Sequence, residues 1–374
     1  MLDAELVILG ALLVAALIAV AALWVLLRQR RPAPRRSPAP PSPSTDSTET
    51  RTAASTPVMA GPIPWSDPLF ERMTRAVHAH GFGTANFQYY TINAEHAEVI
   101  ERVRKGIPDA ANRRDYFPRK PQIVPRLLAA IRSSDSSLKD LTEIIMRDPV
   151  LAGDVLRMAN SAYYRGTKGA IDSIDRAVVV LGFDGLRVLV ANSVMQPVFQ
   201  VPRGYFETFS PMVWRQAHHA AVAAQTYATT TRECDAFAAH LLALVFYVSH
   251  IVLFRMSAES YVGAAGSLPR PDVFARILDE LAEPLAREIA TDWGLSAPMI
   301  DALGEHVERR DVDALSPLAR SLYVGRTCGS AIVAVAAGEV EESDVLALLQ
   351  RKGLPMGGAE RIWRETRAAE SVAS

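Results

Sequence analysis

The side chains best suited to chemistry in this 374-residue chain are its eight histidines, at positions 78, 80, 96, 218, 219, 240, 250 and 306. Imidazoles bind metals and move protons near neutral pH. A metal centre needs several such ligands, or cysteines and carboxylates, at a compatible spacing. His78, His80 and His96 have no cysteine or clustered carboxylate beside them, so they read as surface or helix-packing residues. The two cysteines, Cys234 and Cys328, lie far apart and form neither a disulfide framework nor a CxxC pair, which fits buried, inert thiols in a reducing compartment. A GxSxG elbow, a Walker A loop and a GxGxxG turn are all absent. The basic pairs Arg113-Arg114 and Arg119-Lys120 are small and read as solvated surface. With a net charge of −1 and a pI near 6.7, no global basic field points to a nucleic-acid partner.

The elements that would position these groups are helical. Residues 6–27 are 22 consecutive apolar residues, enough for a helix to span a bilayer core of about 30 Å. Asp3 and Glu5 precede them, and Arg28, Arg30, Arg31, Arg35 and Arg36 follow. By the positive-inside rule this predicts an uncleaved single-pass anchor in the inner membrane, with the N-terminus outside and the rest cytoplasmic. Residues 28–64, rich in Pro, Ser and Thr, read as a disordered linker unable to bury enough surface to offset its ordering entropy. Asp67-Pro68 and Asn93 predict helix starts, with stops at Gly81 and Gly106.

Farther on, 211–230 predicts a long Ala-rich helix, and 235–254 a helix apolar all round, read as core rather than as a second span. PDVFARILDELA and PLAREIATDWGL predict two helices separated before Pro284. Further helices are expected over 296–310 and 316–338, with two more to about 369. No stretch alternates with period two, so the fold class is all-α.

The sharpest local signal is DPVLAGDVLRMANSAYY, residues 148–164. Asp148 suits an N-cap and Pro149 the first helical position, where its missing N–H would be unpaired anyway. Leu151, Val155 and Met158 recur at helical spacing, widened by Leu156 and Ala159. Asn160 and Ser161, whose side chains compete for backbone partners, end the stripe. Ile174, Ala177, Val178 and Leu181 predict another short helix, closed by a left-handed cap at Gly182.

Together with FPRKPQIVPRLL (117–128), SSLKDLTEIIMRDPVL (136–151), LRMANSAYY (156–164) and IDSIDRAVVVLGFDGLR (171–187), this run resembles the HDOD family, a helical signalling domain related to the HD phosphohydrolases. The resemblance implies an HDOD domain over 118–312, preceded by a helical extension at 65–117 and followed by C-terminal helices at 313–370 packed on its core. It marks Asp148, Pro149, Asn160, Ser161, Tyr164 and Gly182 as family-motif positions that could serve recognition. HD enzymes use an adjacent His-Asp pair among their metal ligands, but none of the eight histidines here is followed by Asp. The segment corresponding to the family's GLLHDIGxLVL is ALVFYVSHIVL (243–253), which puts Phe246 and Tyr247 at the dyad positions. Gln216 stands where the W-x-H helix would carry its histidine, and His306 alone aligns in the WGLP…HH segment, with Val307 replacing the second histidine.

The resulting expectation is a membrane-anchored, non-catalytic signalling module, without metal or cofactor, that binds a protein partner or a small signal. Two alternatives stand beside it. One is a divergent metal-dependent phosphohydrolase of nucleotides or cyclic dinucleotides, drawing ligands from His218, His219, His240, His250 or His306. The other is a membrane-tethered scaffold.

Overall fold

The computed structural model describes residues 67–108, 116, 142, 145–146, 149–160, 171, 173–199, 201, 204–262, 268–308, 311–350, 354 and 357–369. All of them belong to the unit Ser55–Ser374. The expected anchor and linker lie outside these residues, as do the 117–128 opening, Asp148, Ser161 and Tyr164.

Every regular element among the described residues is helical. Asp67 Oδ1 accepts from the Leu69 amide at 2.9 Å and starts α1 (Pro68–Phe82), and Asn93 Oδ1 accepts from His96 N at 3.0 Å at the head of α2 (Ala94–Gly106). Helix α1 runs past the expected stop at Gly81. Phe82 stacks on Phe209, Thr208 Oγ1 donates to the Gly81 carbonyl at 2.9 Å, and the left-handed cap falls at Gly83. Packing therefore carries the cap two residues beyond the first glycine.

Helices α3 (Pro149–Ala159) and α4 (Ile174–Met195) enclose a small core that includes Ile145, Val155, Ala159, Ile171 and Val178. Gly182 breaks α4 with φ 67° and ψ 178°. This is an extended positive-φ conformation rather than the compact left-handed cap expected, so the chain turns there and resumes as helix.

A short 3-10 turn (Gln196–Phe199) leads to the main core: α5 (Phe209–Thr231), α6 (Ala236–Val262), α7 (Pro271–Asp292), α8 (Ala297–Val307) and, after a 3-10 turn at Val312–Ala314, α9 (Pro317–Ala336). Helices α10 (Glu342–Gln350) and α11 (Gly358–Ala368) close the chain. Helix α6 is long and apolar enough to cross a membrane, yet 89% of its most apolar window is buried inside the protein. Its apolar residues recur on every side because helices surround it.

Helices α5 and α9 approach closely because α9 presents glycine where they meet. A Cβ on Gly325 would lie 2.5 Å from the Ala220 carbonyl oxygen, and one on Gly329 would lie 2.8 Å from that of Gln216. The two helices expected around Pro284 form a single α7. The buried face formed by Leu281, Ala282, Leu285 and Ala286 continues across the proline, and tertiary packing overrides the local breaker.

Candidate functional site: a degenerate pocket on the core helix

Phe246 and Tyr247 are adjacent on α6, and each is only 2% exposed. Their rings meet edge-on with centroids 5.2 Å apart. Across from them, α9 supplies Arg326, whose guanidinium carbon lies 4.3 Å from the Phe246 ring centroid. Arg326 Nη1 donates to Glu283 Oε1 of α7 at 2.8 Å and lies 3.0 Å from His306 Nδ1 of α8. His306 Nε2 is 2.9 Å from the Ala319 carbonyl, which can only accept, so Nε2 carries the proton and Nδ1 accepts from Arg326. Burial and the neighbouring Arg326 charge hold His306 at a pKa of about 3.

Four helices thus converge on one cation. It sits beside Phe246 and Tyr247, the aromatic pair expected at the dyad positions.

The pocket beside this cluster has a volume of ≈ 70 Å³ and is also walled by α5 and α1. Gln216 contributes from α5, with its Nε2 donating to Ser330 Oγ at 3.0 Å, and His250 contributes from the turn after Tyr247. Burial raises the Tyr247 phenol above its ordinary pKa, which keeps it protonated. At the far wall, His78 Nε2 lies 3.4 Å from Asp279 Oδ1, and Tyr89 donates to Asp279 Oδ2. Burial keeps His78 below its ordinary value although Asp279 opposes it, and the same burial lifts the Asp279 carboxyl.

The residues at this place do not fit a bound metal. Phe246 has no donor atom, the Tyr247 phenol is held protonated, and both His306 nitrogens are engaged. A guanidinium stands against the nearest carboxylate, Glu283. Of the other histidines considered as ligands, His218 and His219 lie side by side on α5 with ring centroids 6.1 Å apart. His219 Nδ1 meets the Thr366 carbonyl at 2.8 Å, and His240 Nε2 meets Asn192 Oδ1 at 3.0 Å. His218 is buried against Trp214.

Of the motif residues, Pro149 opens α3 as expected. Asn160 turns back into the fold: its Nδ2 donates to the Leu156 and Ile171 carbonyls at 2.9 and 2.7 Å, and its Oδ1 accepts from Ile171 N at 2.8 Å. Phe246, Tyr247, Gln216 and His306 come together, whereas Asn160 and Gly182 belong to the smaller core cluster around α3 and α4.

Sequence reasoning passed over Arg326, Glu283 and Asp279. A signal for Arg326 was present, since it is a lone charge in the apolar interior of RSLYVGRTCGSAIVAVA. Glu283 fell in the presumed gap before Pro284.

The fold matches solved structures of low identity. A protein from Shewanella amazonensis, provisionally named a metal-dependent phosphohydrolase, aligns with a TM-score of 0.56 at 17% identity, covering 75% of this chain and all of its own. An HDOD domain protein of unknown function from Geobacter sulfurreducens aligns with a TM-score of 0.52 at 17% identity, covering 74% of this chain and 96% of its own. At such identities the likeness establishes the fold alone. An uncharacterized protein of Treponema pallidum (strain Nichols) is 24% identical over 216 residues, which are 56% of this chain; the chain spans 41% of that relative's length. The HDOD domain family matches residues 117–309, more than half of the sequence, and the chain belongs to that family.

Proposed function

We propose that this protein is a membrane-anchored, non-catalytic signalling module whose helical body binds a protein partner or a small signal. One observation carries the reading: at the dyad positions stand a buried Phe246 and Tyr247, with the Arg326 guanidinium laid over the phenylalanine and tied to Glu283 and His306. A cation already resides where a hydrolase of this kind would need a metal. The anchor rests on the apolar run 6–27 and the five arginines after it.

The test uses the full chain purified in detergent. Its Mn, Fe, Ni and Zn content is measured, together with turnover of nucleotides and cyclic dinucleotides with and without added Mn²⁺. Substoichiometric metal and no hydrolysis are expected. Stoichiometric metal with turnover would establish the divergent hydrolase instead. Carbonate extraction of membranes tests the anchor: the full chain is expected in the pellet, and a chain lacking residues 1–31 in the supernatant.

A further inference from the structure

Helix α4 starts twice. Gly182, at φ 67° and ψ 178°, ends its first segment, and 183–195 resume as helix. The first-turn amides of that second segment have no intrahelical acceptors, and Gly182 before them has no side chain to cap them. A Cβ on Gly182 would meet nothing within 4 Å, so the break faces open space.

A helix start alone is not a site, but a buried charge is aimed at this one. Helical side chains lean toward the N-terminus, and Arg187 leans back over the first turn. Its guanidinium carbon lies 5.1 Å from the Phe183 ring centroid and 4.6 Å from that of Phe237, at the start of α6. The Arg187 side chain is only 10% exposed, and its Nε is buried without a hydrogen-bond partner. Among the described residues its one ion pair, Nη1 to Asp184 Oδ1, is 3.4 Å long, against about 2.7–2.9 Å for a good charge-assisted bond. The Asp184 side chain is 85% exposed, so water screens that contact.

The contrast with Arg326 is direct. That guanidinium is buried to a similar degree, and the fold gives it Glu283 at 2.8 Å, a carboxylate itself buried. Arg187 is given two phenylalanine rings, which remove water from a guanidinium without offering the oxygen acceptors its N–H groups need. A desolvated cation with donors to spare, beside a row of free amides, calls for an anion. Amides converging from one turn, with a guanidinium next to them, suit the several oxygens of a tetrahedral dianion better than a single carboxylate.

We propose that the 182–187 turn is a binding site for a phosphate group, held by Arg187 and the first-turn amides of 183–185. Asp184 opposes it, since its carboxylate shares the turn and competes for Arg187. None of these residues lines the pocket beside Arg326. The site offers a place for the small signal of the proposed function, yet stands without that reading.

The full chain in detergent is titrated with inorganic phosphate and with acetate at constant ionic strength, followed by calorimetry, with phosphorus NMR line widths as a second readout for phosphate. Phosphate is expected to bind saturably in the micromolar to millimolar range, as a ligand of its size permits. Acetate should bind about tenfold more weakly, and Arg187→Met should weaken phosphate binding about tenfold or more. Asp184→Asn should strengthen it severalfold, because a like charge leaves the turn. Methyl phosphate and phosphatidic acid in mixed micelles then separate a soluble phosphomonoester from a lipid headgroup, and binding of either through Arg187 supports the site.

The proposal is overturned if phosphate shows no saturable binding at millimolar concentration, or if acetate binds as well. Equal binding by wild type and Arg187→Met would overturn it too. Unchanged or weaker binding in Asp184→Asn would place the bound phosphate elsewhere, and this exposed substitution decides if Arg187→Met does not fold. Metal content and turnover of the same preparation report separately on the non-catalytic reading, so the two can fail independently.

Discussion

Asn160 shows how one side chain can be read two ways until its partners are seen. A short polar residue at a helix end is equally suited to recognition and to capping. Here its amide closes the end of α3 and pins the Ile171 backbone in both directions. Asn160→Ala removes three hydrogen bonds and strands backbone groups of a half-buried segment. It should lower stability by about 2–3 kcal/mol, read from chemical denaturation. If Asn160→Ala unfolded like the wild type while losing a binding partner, a surface role would replace the structural one.

Arg326 and Glu283 permit a sharper test, because their side chains are only 13% and 7% exposed. Glu283→Leu leaves a buried guanidinium without its counter-charge and should cost about 3–5 kcal/mol, whereas Glu283→Leu with Arg326→Met should recover most of that loss. A double variant as unstable as the single one would mean that the pair is not the source of the effect.

At the level of elements, the contact between α5 and α9 is set by glycine. In Gly325→Ala the new methyl meets the Ala220 carbonyl, a backbone atom in a helix that cannot yield locally. The helices must move apart, at about 1–3 kcal/mol. Gly304→Ala on α8 is the matched control: its Cβ would meet only the Arg287 side chain, at 3.5 Å. There the gain in helix propensity, about 0.5–1 kcal/mol, should prevail. Opposite signs in the two thermal melts are expected, and equal losses would contradict the close approach.

At the level of the whole molecule, the core is laced with neutral histidines. Burial, with the His219 charge adding to it, lowers His218 to a pKa of about 4; burial and the His218 charge lower His240 to about 3; burial and Arg326 lower His306 to about 3. Each folded-state value lies below the ordinary 6.5, so the unfolded chain takes up more protons in acid. The stabilisation from neutral burial is fully present above pH 6.5 and is lost as pH falls toward 4 to 3. Between pH 6.5 and pH 5 the loss should be about 1.5 kcal/mol per histidine, a large part of a typical folding free energy. Urea unfolding at pH 7 and pH 5 measures it, and unchanged stability across that interval would mean that these rings are solvated or already charged.

The helices were legible in the chain because their causes are local. Asp67 caps, Asn93 caps, the apolar stripes of α3 and α4, and the all-round apolarity of α6 each depend on neighbours within a few residues. The lack of a His-Asp pair was legible for the same reason, being a matter of adjacent letters. Tertiary structure decided what proximity in sequence does not encode. It carried α7 straight through Pro284, because burial on both sides of the proline outweighs one missing hydrogen bond. It also brought Glu283 and His306, from two other helices, to Arg326, and laid the Arg326 guanidinium over the Phe246 ring. The pocket they border exists only where five helices meet, and its chemistry follows from charges that packing alone sets opposite one another.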